Sequence, residues 1–101
     1  MIYGVVSVRV KPGKKEEFIT LFKSITGKVR EEKGCVQYVA VVDFDIKAPG
    51  QALDKDVVTI LERWESLEAL QKHLSMPYMV DFFQKQAPLT EETILKMLQE
   101  A

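Results

Sequence analysis

The chain has 101 residues, close to the usual size of one domain, so a single core has to serve all of it. An apolar fraction of 47% beside a charged fraction of 29% excludes a disordered polar chain, and fourteen Lys and Arg against fifteen Asp and Glu leave a net charge of -1. That charge supplies no field to gather phosphate backbones or anionic lipid, so neither nucleic acid nor a membrane is expected as a partner. Cys35 is the single cysteine, which excludes an internal disulfide, and one Cys beside one His argues against a structural metal site. No apolar run approaches the ~20 residues of a membrane helix, and Met1 leads directly into a strand-like segment without a basic leader, so a cytosolic location is expected.

Ile2 to Val10 is rich in β-branched residues and ends at the turn signal Lys11-Pro12-Gly13, which predicts a first strand. From Lys14 the period changes: Phe18, Leu21, Phe22, Ile25 and Val29 draw one apolar stripe at helical spacing. Lys14-Lys15 followed by Glu16-Glu17, and Arg30 followed by Glu31-Glu32, read as solvated helix face. Gly34 ends that helix, and Val36 to Phe44 returns to strand composition. Asp45 to Lys55, with Pro49 and Gly50, reads as the longest loop, and Asp56 to Trp64 as a third strand. Ser66 is placed to cap a helix carrying Leu67, Leu70 and Leu74. Met76-Pro77 breaks it, and Pro77 to Gln86 restarts at a changed angle with Met79, Val80, Phe82, Phe83 and Ala87 inward. The tail is ambiguous between helix and strand over residues 90–99. The order strand, helix, two strands, helix favours a closing strand, giving an α+β, ferredoxin-like (split β-α-β) fold with a four-stranded antiparallel sheet.

Helices on one face of a sheet should leave strands that alternate apolar and polar. These do not. Tyr3 and Val5 oppose Ile2, Val6, Val8 and Val10; Val39 and Val41 oppose Tyr38 and Ala40; Val57 and Leu61 oppose Val58, Ile60 and Trp64. The second face is therefore expected to be covered, most economically by another copy packing sheet against sheet about a two-fold axis.

The run Glu62-Arg63-Trp64-Glu65-Ser66-Leu67-Glu68-Ala69 through His73, then Met76-Pro77-Tyr78 and Phe82-Phe83, resembles the signature of the antibiotic biosynthesis monooxygenase family. That family carries a strand ending in Glu-x-Trp, a Ser-x-Glu-Ala helix start, a histidine and a Phe-rich turn. The resemblance extends to Val8 to Lys14 and to Glu32 to Tyr38, where Lys33 stands in place of the commoner Pro or Glu, and it covers residues 1 to about 86. It implies a dimeric α+β barrel that oxidises quinol-like or polycyclic phenolic substrates with molecular oxygen, often with no metal or flavin cofactor. Relatives degrade haem or isomerise small sugar-like signals. The haem-degrading branch also places an Asn in strand one, and Ile2 to Val10 contains none. The Lys/Arg-Gly-Phe-x-Phe strand of RNA-binding modules with this strand order is absent too.

In such a reaction a base removes a phenolic or enolic proton, and the electron-rich anion passes an electron to oxygen. His73 is the candidate base, because its ordinary pKa lies near neutrality; the other reading is a histidine paired locally in the core. Trp64 reads as pocket wall or as core, and Glu62 as an aid to proton transfer, an orienter of His73 or an ion-paired carboxylate. Tyr38, Phe22, Tyr78, Phe82 and Phe83 either form an aromatic wall around a small apolar or aromatic ligand or pack as core. Two other functions stay open: a dimer that binds a metabolite without turnover, and an isomerase of a small signal.

Overall fold

A computed structural model describes residues 1–101. It contains β1 (Ile2–Val10), α1 (Lys15–Arg30), β2 (Cys35–Val41), β3 (Val57–Trp64), α2 (Leu67–Leu74), α3 (Pro77–Gln86), a 3-10 turn at Ala87–Leu89 and β4 (Thr90–Leu98). The sheet order is β2-β3-β1-β4 with every neighbouring pair antiparallel, which is the split β-α-β arrangement. The ambiguous tail is thus a strand. Pairing with β1 decides it, placing Gly4 against Met97, Val6 against Leu95 and Val8 against Thr93.

The sheet has two faces of different character. Val6, Val8, Val10, Val58, Ile60 and Trp64 are buried on the helical face. Against them pack Phe18, Phe22, Ile25 and Val29 of α1, Leu70 of α2, and Met79 and Phe82 of α3. On the other face Val5, Leu61, Val39 and Val41 remain half-buried in the single chain, with Ile94 and Leu98 of β4 exposed beside them.

Three expectations are corrected. β2 ends at Val41 rather than Phe44, because its pairing with β3 ends at Val41–Thr59, and beyond that point apolar composition has no ladder to join. Val42 and Phe44 are instead exposed in a connection held by side chains: Asp43 accepts from the backbone N–H of Asp54, and Gln51 bridges Ile46 and Phe44. Second, α2 does not bury its leucine stripe. Leu70 and His73 are inward, whereas Leu67 and Leu74 are 57% and 43% exposed. At 100° per residue the buried direction lies between Leu70 and His73, roughly 70–90° away from Leu67 and Leu74. Third, Val80, Phe83 and Ala87 stay exposed, and Met79 and Phe82 are the buried residues of α3.

Ser66 caps α2 as expected, its hydroxyl accepting from the N–H of Ala69 at 3.1 Å. Gly34 adopts φ +88° in the turn between α1 and β2, and its carbonyl accepts from Glu65 N–H at 2.8 Å. A Cβ there would lie 2.5 Å from that of Ala69, so the turn and the start of α2 are packed backbone to side chain. Gly34→Ala combines left-handed strain with this overlap, and thermal or denaturant unfolding should show a loss of about 1–3 kcal/mol.

Candidate functional site

His73 occupies the last turn of α2 and is 1% exposed. A buried imidazole needs a partner, and it finds one in Glu32, whose two carboxylate oxygens lie 3.0 and 3.2 Å from Nδ1. Glu32 follows the C-terminus of α1, and its carboxylate also accepts a hydrogen bond from the hydroxyl of Tyr78. His73 and Tyr78 are five residues apart, a spacing that on one continuous helix would hold them about 140° apart. The chain avoids this by breaking at Met76, whose backbone is extended, and restarting at Pro77, which needs no N–H partner in a first turn. The break is what lets both side chains converge on one carboxylate.

Trp64 ends β3 directly beneath this histidine. Its ring is fully buried, 4.6 Å centroid to centroid from His73 and tilted by 34°, and its indole N–H donates to Glu62 at 2.9 Å. Tyr38 of β2 approaches the imidazole edge-on at 5.3 Å, and Phe22 stacks behind Tyr38 at 5.1 Å. The imidazole is thus confined by an indole, a phenol ring and a carboxylate.

Glu62 lies across the ladder from Gly4 of β1. A Cβ at position 4 would overlap Glu62 Cγ and fall 3.0 Å from Cδ, so glycine is the residue that makes room for the carboxyl group. Burial pushes the Glu62 carboxyl above its usual range, and the opposing pull of the Trp64 N–H and His73 does not cancel it. Burial, with the negative charges of Glu62 and Glu32, likewise raises Tyr38, which stays a protonated donor.

A cavity of about 260 Å³ opens between the sheet and helices α2 and α3. Val6, Val8, Phe18, Ile60, Met79 and Phe82 give it an apolar wall, and Leu95 and Met97 of β4 form the side that the helices leave uncovered. Tyr38, Glu62 and His73 also line it, with Gln86 and Thr93 as further polar residues. Arg63 Nε is the one side-chain polar atom sealed from solvent without a partner. His73 Nε2, the Tyr38 hydroxyl and the second Glu62 oxygen have no partner within the protein and are not among the sealed atoms, and all three residues line the cavity.

Of the residues expected from sequence, His73, Glu62, Tyr38, Phe82 and Phe83 line the cavity, Trp64 and Phe22 stand behind it, and Tyr78 lies outside the lining. The group that engages His73 is Glu32, not Glu62, whose bonded partner is Trp64. Glu32 opens the Glu32 to Tyr38 stretch that resembles the family, but its charge and place beside Glu31 read as a solvated helix end; its side chain is only 9% exposed because the Gly34 turn folds it under α2. Gly4 and Met97 were also missed. A glycine in a strand otherwise rich in valine marks a close approach, and that was the available signal for the first of them.

The raised Glu62 carboxyl links protonation to stability. The folded chain holds this proton to higher pH than the unfolded chain, so the contribution is complete below the ordinary carboxylate range and is lost as pH rises through the raised value. Glu62→Gln keeps an acceptor for Trp64 but removes the charge. Its melting temperature relative to the parent should therefore improve from pH 4 to pH 7, and a difference constant with pH would show that Glu62 bears no burial penalty.

Comparison with known proteins agrees with this geometry. The family model described as antibiotic biosynthesis monooxygenase matches residues 1–85. The chain is 30% identical over 81 residues to a protein named "Probable quinol monooxygenase YgiN" from Escherichia coli K12, covering 78% of each chain. It is 31% identical over 83 residues to an uncharacterized protein of Synechocystis, of which it spans 51%. Among solved structures, a conserved protein from Methanosarcina mazei superposes with a TM-score of 0.83 at 25% identity, covering 99% of this chain and 92% of that one. A Pseudomonas aeruginosa protein, PA3566, reaches the same TM-score at 19% identity over 99% and 93% of the two chains, a likeness of fold. The signature from Glu62 to Phe83, the buried Trp64–His73 pair and the match over residues 1–85 together establish that this chain belongs to the antibiotic biosynthesis monooxygenase family.

Proposed function

We propose that the protein is a monooxygenase of small quinol-like or phenolic substrates in which His73 Nε2 takes the hydroxyl proton. The observation that carries this reading is that His73, Tyr38 and Glu62, each with a polar atom unpartnered in the protein, line one largely apolar cavity. Nδ1 of His73 is engaged by Glu32, so Nε2 is the nitrogen left to meet a ligand. Removing the proton makes an electron-rich anion that can reduce dioxygen by one electron. Recombination of the resulting pair forms a carbon–oxygen bond, and loss of water leaves the hydroxylated quinone. The balance is quinol plus dioxygen giving hydroxyquinone plus water, with the substrate as its own reductant, so the reading needs no metal or flavin. The neutral Tyr38 hydroxyl suits the second substrate oxygen or the oxygen-derived anion, since it can donate a hydrogen bond.

Size refines the substrate. About 260 Å³ falls just below the roughly 300–1,000 Å³ typical of drug-sized sites. One or two fused rings fit that volume better than the longer polycycles of the initial expectation. Oxygen-electrode assays with one- and two-ring hydroquinones should show uptake by the parent, and His73→Ala should lower the rate by on the order of 100-fold or more while the circular dichroism spectrum is kept. Binding without oxygen uptake would favour a metabolite-binding role, and turnover under anaerobic conditions an isomerase.

The same reading includes a homodimer built on the uncovered sheet face. Val5, Leu61, Val39 and Val41 form an apolar centre on that face, and a second copy covers it at little cost. Light scattering after size exclusion should give a dimer for the parent at micromolar concentration, and a monomer for Leu61→Arg, which places a charge in the middle of the face; a parent monomer sinks the assignment.

A further inference from the structure

We infer that Glu32, together with Tyr78, is the positioning device of the site: it fixes the tautomer of His73 and carries the counter-charge for the imidazolium formed when the proton arrives. This rests on the reading of His73 as the base. A carboxylate has lone pairs and no proton to give, so the ring nitrogen that faces it must carry the hydrogen. Nδ1 lies within 3.2 Å of both Glu32 oxygens, and Tyr78 donates to one of them, so two donors converge on one acceptor group. The neutral imidazole then presents an unprotonated Nε2 to the cavity. When Nε2 takes a proton the ring becomes a cation, and the nearest anion is Glu32, held at 9% side-chain exposure where water screens it little.

Tyr78 completes the device. Its hydroxyl occupies the oxygen that a mobile carboxylate would otherwise turn to solvent, and the Lys28 ammonium sits over its ring, 5.6 Å from the centroid. Three separate pieces of chain meet here: the turn after α1, the last turn of α2 and the first turn of α3. Glu32 therefore orients His73 from outside the cavity without lining it.

The chain has one histidine, so nitrogen NMR of protein labelled with 15N-histidine reports this ring alone. In the ligand-free parent, the neutral ring should give one protonated Nδ1 and one unprotonated Nε2. Glu32→Ala should give averaged shifts of mixed tautomers and lower kcat by about 10–100-fold with a smaller change in KM, the range for loss of a partner behind a functional histidine. Glu32→Gln keeps the shape and an acceptor but not the charge; it should hold the tautomer and still lose kcat, and it serves as the deciding variant if Glu32→Ala does not fold. Unchanged shifts and unchanged kcat in Glu32→Ala, or parental kcat in Glu32→Gln, would overturn the inference. The tautomer is read without substrate, so failure of His73 as base appears separately, as activity retained in His73→Ala.

Discussion

A histidine placed between a helix and a sheet, out of reach of bulk water, loses more from an unpaired ring nitrogen than a net hydrogen bond returns, about 1–3 kcal/mol against about 1. The bond between His73 Nδ1 and Glu32 meets that demand. Much of the local architecture follows from it. α1 must end one turn before residue 34 for Glu32 to hang beneath α2, and Gly34 must take a left-handed turn against Ala69 for the two helix ends to approach. α2 must rotate its inward side from the leucines toward His73, and α3 must begin afresh at Pro77 for Tyr78 to reach the same carboxylate.

The cavity arises from a mismatch of widths. Four strands make a sheet wider than α1 and the short α2–α3 pair can cover, and the side left open is β4, where Thr93, Leu95 and Met97 face the hollow. Gly4 contributes by what it lacks, because the space of a side chain at that position holds the Glu62 carboxyl instead. The result is an apolar hollow with a few polar atoms at one end. Burial raises Glu62 and Tyr38 together, and the Tyr38 hydroxyl remains a proton donor. A phenolic donor and an imidazole on one wall suit a reaction that takes a proton from a carbon-ring hydroxyl.

The Glu62–Phe83 run supplies only part of the site. The signature includes Trp64, the Ser66 cap, His73 and the Phe-rich turn, which fix where the histidine stands. The residues that give the site its character, Glu32, Gly4 and Tyr38, lie outside the Glu62–Phe83 run and are contributed by the first half of the chain.

The amino-acid sequence by itself determined the order of elements, the split β-α-β arrangement, the Ser66 cap, the proline restart and the two-sided apolar character of the strands, because periodicity, caps and turn residues act over a few positions. It also singled out His73 and Trp64 through a local motif. Tertiary structure alone decided that residues 90–98 pair with β1, that β2 stops at Val41, and that Glu32 rather than Glu62 engages the histidine. Each of these depends on what a segment meets across the fold, at separations of 41 residues for Glu32 and His73 and 46 for Glu32 and Tyr78, where a local pattern holds no information.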